Sequence, residues 1–541
     1  MESIKGNRRT LALAAFVIIM VLGMGLIYFW EPDGGVAVTG MRRGAVGVIA
    51  VEGVIEETEQ AGVLLDAVRE AMDDDYVKAV LLEIDSPGGS AYLVEQVYLD
   101  LLELKKTKPL VAYAANALSG GYYVAVAADY IFTVPTGMVG NVGVIGVGPG
   151  FLMPSESTFE TGPHKITGFS PTLFPFNISR ALDSFASAVQ LSRGGRLTLS
   201  MVEVKRGTVW LGVEAVNLGV ADEIGGRQAA LDYAASQAEL DSYTVVELLE
   251  RVSEEGEGLS TEYPTISQLN EANPPPALHY LYMPGSIYMQ DGEEPPAGAD
   301  GNQTVPVQLG QVVVDMSHGN RVSPYVVDVL AEELAKRSVF MGYGSTWESV
   351  EGALDFAVCL VVAAPTQHYS FEEYEAIQKF VQGGGLLVLL SDASAEFLSA
   401  NQMQGPINSL GDHYGLHFGK GYLYNQLDYH GFYRNVRVSQ FEPSWLTEGL
   451  TQLVFFTCAH LGATDSDAAY ASFGTVNSVS EQLGLYTTVS LLDKGNTTVV
   501  AFGDMTWLMD PWVRTGDNYA LAMNLVEEIV RLKDQAESGL R

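Results

Sequence analysis

The chain has 541 residues, with 66 acidic against 30 basic side chains and a formal net charge of −36. That charge repels a phosphate backbone and argues against a nucleic-acid partner, while 47% hydrophobic residues exclude an acidic disordered chain. The length calls for at least two globular domains besides any anchor, and two cysteines, Cys359 and Cys458, are too few for a disulfide scaffold.

Residues 11–30 carry no charge and are long enough to cross about 30 Å of hydrocarbon as a helix. Lys5, Arg8 and Arg9 precede this run, and Glu31 and Asp33 follow it. The positive-inside rule therefore predicts that residues 1–10 are cytoplasmic and that the main domains lie on the outer side of the cell membrane. Tyr28, Phe29 and Trp30 stand where an outer aromatic belt belongs. A cleaved signal peptide is the alternative, but the run is long for a signal core and no small-x-small site follows it directly. A retained single-pass anchor in contact with lipid is expected.

Residues 80–84 read as an apolar strand that runs into Asp85-Ser86-Pro87-Gly88-Gly89-Ser90, where paired glycines free backbone N–H groups to face a ligand. A second strand, residues 110–114, leads through Asn116-Ala117-Leu118 to Ser119-Gly120-Gly121, which opens an alanine-rich apolar helix. A serine at a strand-to-helix turn sits beside helix-start N–H groups that favour negative charge, as a nucleophile facing an oxyanion requires. A lone Ser-Gly-Gly is more often a helix cap; here two glycine-bearing loops come as a pair. This is a serine-hydrolase layout. The only histidine between residues 44 and 240 is His164, so a Ser-His-Asp triad has no obvious base.

Residues 44–233 resemble the signal peptide peptidase A (SppA) family of membrane-anchored serine proteases, whose fold is similar to that of ClpP and crotonase. The resemblance is carried by the glycine loop, the Ser119 turn, the strand GNVGVIG and the segment GTVWLGVEAVNLGVADEIGG at residues 207–226. It implies a protease domain over residues 44–240 and a Ser-Lys dyad with Ser119 as nucleophile. Such a lysine must be buried or crowded to lose its proton near neutral pH. Between Ser119 and the end of this domain the chain offers only Lys165 and Lys205. Lys165, in HKITGFSP, is similar to the family's base, whereas Lys205 falls where the resemblance places a solvated turn. The resemblance further implies an oxyanion hole from the N–H groups of Gly120 and of Gly88 or Gly89, no metal or organic cofactor, and homo-oligomeric rings. This chain departs from the family at residues 151–163, which are short and rich in Pro, Ser and Glu.

Residues 254–306 turn to Glu, Gly, Pro and Asn and are expected to act as a linker. One apolar interruption, residues 278–289, is a candidate for docking on a neighbouring surface. Beyond it, apolar strands at 311–315, 356–364 and 386–390 alternate with helices at 325–336 and 369–382, which predicts a parallel α/β sheet of flavodoxin-like architecture. Residues 310–535 resemble the class I glutamine amidotransferase-like domains of prokaryotic membrane-associated proteins. The turn after the strand at 386–390 is Ser391-Asp392-Ala393-Ser394, without the nucleophilic cysteine of a true amidotransferase, and both cysteines are expected in the core. Asp315 with His318, and Asp504 with Asp510, fall at strand ends where open sheets hold ligands. The plainer expectation is that the aspartates cap turns and His318 is solvated. Binding without catalysis is expected of this domain.

The expected function is that of a membrane-anchored serine endopeptidase acting on signal-peptide remnants or other short hydrophobic segments of peptides or membrane proteins. The competing expectation is an inactive crotonase-like scaffold whose C-terminal domain recruits a partner.

Overall fold

The computed structural model describes residues 43–149, 161–252 apart from 163, 263–283, 307–394 apart from 321–323, 404–463 and 466–539. The anchor expected at residues 11–30 lies outside these. Among the described residues no helix is long and apolar enough to cross a membrane.

The chain forms a mixed α/β structure with two large sheets. The first begins with β1 (Arg43–Ile55), β2 (Val77–Ser90) and β3 (Leu110–Leu118), which pair in parallel. Their near-continuous burial matches the Val-, Ile- and Leu-rich runs that such strands need when helices cover both faces. Helix α1 (Thr58–Asp73) connects β1 to β2, and α2 (Ala91–Lys105) connects β2 to β3. In α2 the buried residues Leu93, Val94, Val97, Tyr98, Leu101 and Leu104 recur at three- and four-residue intervals, so one stripe faces the sheet.

After β3 come the short helix α3 (Gly120–Ala125), β4 (Tyr130–Thr133), β5 (Met138–Gly140) and β6 (Ile145–Val147). Helix α4 (Phe174–Arg193) packs beside α3, and β7 (Val209–Leu211) pairs antiparallel with β5. Strand β8 (Glu223–Ile224) extends the sheet beyond β4. The sheet does not stop near residue 240, because β9 (Ser242–Glu247) pairs in parallel with β1 and covers what would otherwise be an open edge. A tenth strand, β10 (Ala277–Leu281), lies inside the stretch read from sequence as linker, wedged antiparallel between the end of β2 and β6.

One buried ion pair ties α4 to the approach to β8. Arg193, fully buried, donates through Nη1 to Asp222 Oδ2 at 2.7 Å and through Nη2 to Asp222 Oδ1 at 2.9 Å. Its Nε also reaches the Gly219 carbonyl at 3.1 Å, so the planar fork is satisfied on two sides.

The second sheet has a parallel half built from β11 (Gln311–Asp315), β12 (Met341–Gly344), β13 (Ala357–Ala363), β14 (Leu386–Leu390) and the strand Thr497–Phe502. In space they run β12, β11, β13, β14, Thr497–Phe502, every neighbouring pair parallel. The antiparallel strand Thr487–Lys494 then leads into the remaining strands. Side chains of the two units touch where Arg206 Nε donates to Gln426 Oε1 at 3.0 Å and the Ser179 hydroxyl donates to the Gly431 carbonyl.

Candidate active site

The strand-turn-helix at Ser119 is built as a strained elbow. Ser119 has φ 49° and ψ −116°, a conformation that costs a side-chain-bearing residue about 1–3 kcal/mol and persists only where the surroundings enforce it. They do so from both sides. The Ser119 N–H donates to the Gly140 carbonyl at 2.9 Å, and the Ser119 carbonyl accepts from Tyr123 N–H at 2.9 Å.

The two following glycines are required by space. A side-chain carbon built on Gly121 would lie 2.4 Å from the Ser86 carbonyl oxygen, and one on Gly120 would lie 2.8 Å from Val94 Cγ2. The turn is therefore pressed onto β2 and α2. Gly120 N–H, the first of the helix, has no acceptor among the described residues.

The Asp85–Ser90 stretch was expected to be a loop. It continues β2 instead, pairing Asp85 with Asn116 and Ser86 with Ala117 on one side, and Gly88 and Gly89 with Val54 and Ile55 on the other. Partners on both edges override the loop preference of Pro and Gly. Gly88 has φ 103°, open to glycine alone, and its N–H donates to Ser86 Oγ at 3.1 Å. The Ser86 hydroxyl in turn donates to the Gly53 carbonyl at 2.6 Å. Gly89 lies against Ile55, where an added side-chain carbon would sit 2.1 Å from the carbonyl oxygen.

Of the residues assigned to the site, the fold thus brings Gly88 against Gly120, the residue that follows Ser119. Ser119 is 1% exposed. Lys165 stands on an exposed turn, and no hydrogen bond joins its side chain to Ser119. This turn packs through Gly168 near Pro276, just before β10. Lys205 is on the surface, its Nζ 2.6 Å from Asp183.

Beside the elbow lies a buried aromatic cluster that sequence reasoning missed. Tyr123 stacks on Phe185 with centroids 4.5 Å apart and tilts against Tyr98 at 4.8 Å. Tyr280 of β10 closes it edge-on, 5.2 Å from both Tyr123 and Phe185. Burial pushes the Tyr123 hydroxyl up to about 12. The Tyr280 hydroxyl donates towards Glu95 Oε1 at 2.9 Å and the Ala181 carbonyl at 3.0 Å.

In the second unit, Asp315 caps its turn as expected, accepting from Ser317 N–H at 2.8 Å. His318 is not solvated but 5% exposed, stacked on Tyr369 at 3.7 Å. Its Nδ1 lies 3.1 Å from Asp315 Oδ2 and its Nε2 3.3 Å from Glu373 Oε2. Burial opposes the charged ring, but hydrogen bonds and charge from Asp315 and Glu373 outweigh it and raise the pKa. Asp504 does not join Asp510, which is exposed near Arg514. It is buried with Asp392, and Thr506 links them, its N–H donating to Asp504 Oδ1 at 2.8 Å and its hydroxyl to Asp392 Oδ2 at 2.9 Å. Burial, ahead of the neighbouring charge, holds Asp504 well above the carboxylate range, and burial lifts Asp392 to about 6. Cys359 and Cys458 are both buried and form no disulfide.

A buried serine on a strained elbow, with an open helix-start N–H beside it, is the arrangement a serine hydrolase needs. Comparison with known proteins agrees. Residues 103–153 match peptidase family S49. Protease 4 of Haemophilus influenzae is 33% identical over 214 residues, covering 35% of this chain and 34% of that protein. A putative signal peptide peptidase SppA of Enterococcus faecium is 28% identical over 225 residues, covering 37% of this chain and 65% of that protein. A putative protease of Synechocystis is 30% identical over 214 residues, covering 37% of this chain and 76% of that protein. The chain belongs to the SppA family of serine proteases, peptidase family S49. It spans only part of the first two of these relatives.

Proposed function

We propose that the protein is a serine endopeptidase with Ser119 as nucleophile and Lys165 as general base. The observation that carries this reading is the Ser119 elbow, strained at φ 49° and held by Gly140 and Tyr123. Ser119 Oγ attacks the peptide carbonyl as its proton passes to the Lys165 amine, which then protonates the leaving amine. Water, deprotonated by the same lysine, hydrolyses the acyl-enzyme. The Gly120 N–H, joined by that of Gly89 or by that of Gly88 once it leaves Ser86 Oγ, faces the oxyanion, each donor contributing roughly 2.7–4 kcal/mol. A ClpP- and crotonase-like fold for this unit, ring assembly and an anchor at residues 11–30 belong to the same reading, as do short hydrophobic segments at the membrane as substrates.

The exposed position of Lys165, unbonded to Ser119, favours a second reading as an inactive scaffold. Hydrolysis of a fluorogenic apolar peptide separates the two: turnover lost in Ser119→Ala supports the peptidase, and equal turnover in both proteins sinks it.

For the C-terminal unit we infer a flavodoxin-like, amidotransferase-like domain that binds without catalysis. Numbered along the chain, its parallel strands lie in the order 2-1-3-4-5, as in doubly wound sheets of that type. Burial pushes the Cys458 thiol well above its ordinary range, the opposite of what a nucleophilic thiolate needs. Glutamine hydrolysis by the protein, abolished by Cys458→Ser, would overturn this.

A further inference from the structure

Strand β10 fills the edge of β2 that lies next to the Ser119 elbow. Along β2 the β3 partner is lost after the Ser86–Ala117 pair, because β3 turns away into the Ser119 elbow. That departure would leave Gly88, Gly89 and Ser90 with an unpaired edge beside the nucleophile. Leu281, Tyr280 and His279 fill it, antiparallel, and the opposite edge of the same segment pairs with Ile145–Val147. A groove walled by two strand edges is the site in which extended peptides add as a strand.

Tyr280 lies tight against the elbow. A side-chain carbon built on Gly88 would meet the Tyr280 carbonyl oxygen at 1.9 Å, and one built on Gly120 would meet the same oxygen at 2.7 Å. The Tyr280 carbonyl is therefore pressed against the two glycines that flank the elbow, while its ring joins the aromatic cluster of Tyr123 and Phe185. Tyr280 is wholly buried, and Ser119 is 1% exposed. Glu56 clamps the strand from the other side. Its Oε1 lies 3.1 Å from His279 Nδ1, and its Oε2 accepts from Asn273 Nδ2 at 2.7 Å.

We propose that residues 277–281 are an internal pseudosubstrate, docked in cis in the peptidase groove with Tyr280 in the side-chain pocket next to the reacting carbonyl. The site is thus built for an extended peptide carrying an aromatic residue at that position, and it opens only when the strand withdraws. The proposal rests on Ser119 being the nucleophile.

The test is the rate at which a fluorophosphonate probe labels Ser119 in the full-length protein. Tyr280→Asp places a carboxylate against Glu95 and expels the strand; labelling should accelerate about 10- to 100-fold, the reciprocal of a groove open 1–10% of the time. Glu56→Ala releases the clamp without touching the pocket and should accelerate labelling several-fold, so it decides the matter if Tyr280→Asp does not fold. A synthetic peptide of residues 277–283 should slow labelling of Tyr280→Asp, and the same peptide with Asp in place of Tyr should not. Equal labelling of wild type and both variants would overturn the pseudosubstrate and leave the nucleophile standing. No labelling in any of them would overturn the nucleophile, and the proposal with it.

Discussion

Ser119 and Gly140 share a backbone hydrogen bond of 2.9 Å that fastens the elbow to β5. Gly140 has φ 111°, and a side-chain carbon there would lie 2.6 Å from the Trp210 ring. Gly140→Ala should therefore displace β5 from Trp210 and slacken the elbow. Peptide hydrolysis should fall by more than tenfold while circular dichroism stays native. Full activity in this variant would show that the bond to Gly140 does not position the serine.

Ser119→Ala should abolish turnover with stability unchanged, since alanine keeps the same strained backbone. Ser119→Gly should be equally inactive but more stable by about 1 kcal/mol, because glycine enters this region freely. Denaturant midpoints for the three proteins measure the difference. Equal midpoints for the alanine and glycine variants would mean that the elbow stores no strain.

Lys165→Ala should lose most activity and Lys205→Ala little. The Lys205–Asp183 pair is largely exposed, so its loss should cost under about 1 kcal/mol. The reverse pattern in peptide hydrolysis would assign the base role to Lys205.

Asp222→Ala strands the fully buried Arg193 without its carboxylate. Unpaired buried charge makes this among the most damaging single changes in the first unit, at about 3–5 kcal/mol in urea unfolding. A loss under 1 kcal/mol would show that the Gly219 carbonyl alone suffices.

Asp392 in the folded chain titrates near 6, above the ordinary 3.8. The folded state thus keeps a proton that the unfolded chain gives up, and this group's contribution to stability is lost as pH rises from about 4 through 6. Asparagine cannot ionise. Asp392→Asn should match the wild type near pH 4 and exceed it at pH 7 by about 2–3 kcal/mol. Melting temperatures that run parallel across this range would refute the assignment.

The sequence was legible where burial is continuous. The strands at 311–315 and 386–390 read directly, because parallel strands covered on both faces leave unbroken apolar runs. The turn at Ser119-Gly120-Gly121 was legible as a strand-to-helix junction, and in the structure its two glycines leave no room for a side chain. Asp85–Ser90 misled because its composition suggests a loop, while its strand character comes from distant partners. His318 misled for a similar reason: its burial depends on Tyr369, which another element supplies. The apolar run beginning at Leu278 was visible as a docking segment, but nothing local in Ala-Leu-His-Tyr-Leu names the edge it pairs with.

Because β10 is joined covalently to the groove it fills, it competes at an effective concentration that does not depend on the amount of protein. A dilute peptide in bulk water would be outcompeted. A segment gathered in two dimensions at a membrane surface would meet that threshold far more readily, so the connector between the two units would act as a discriminator of where a peptide comes from as much as of what it contains.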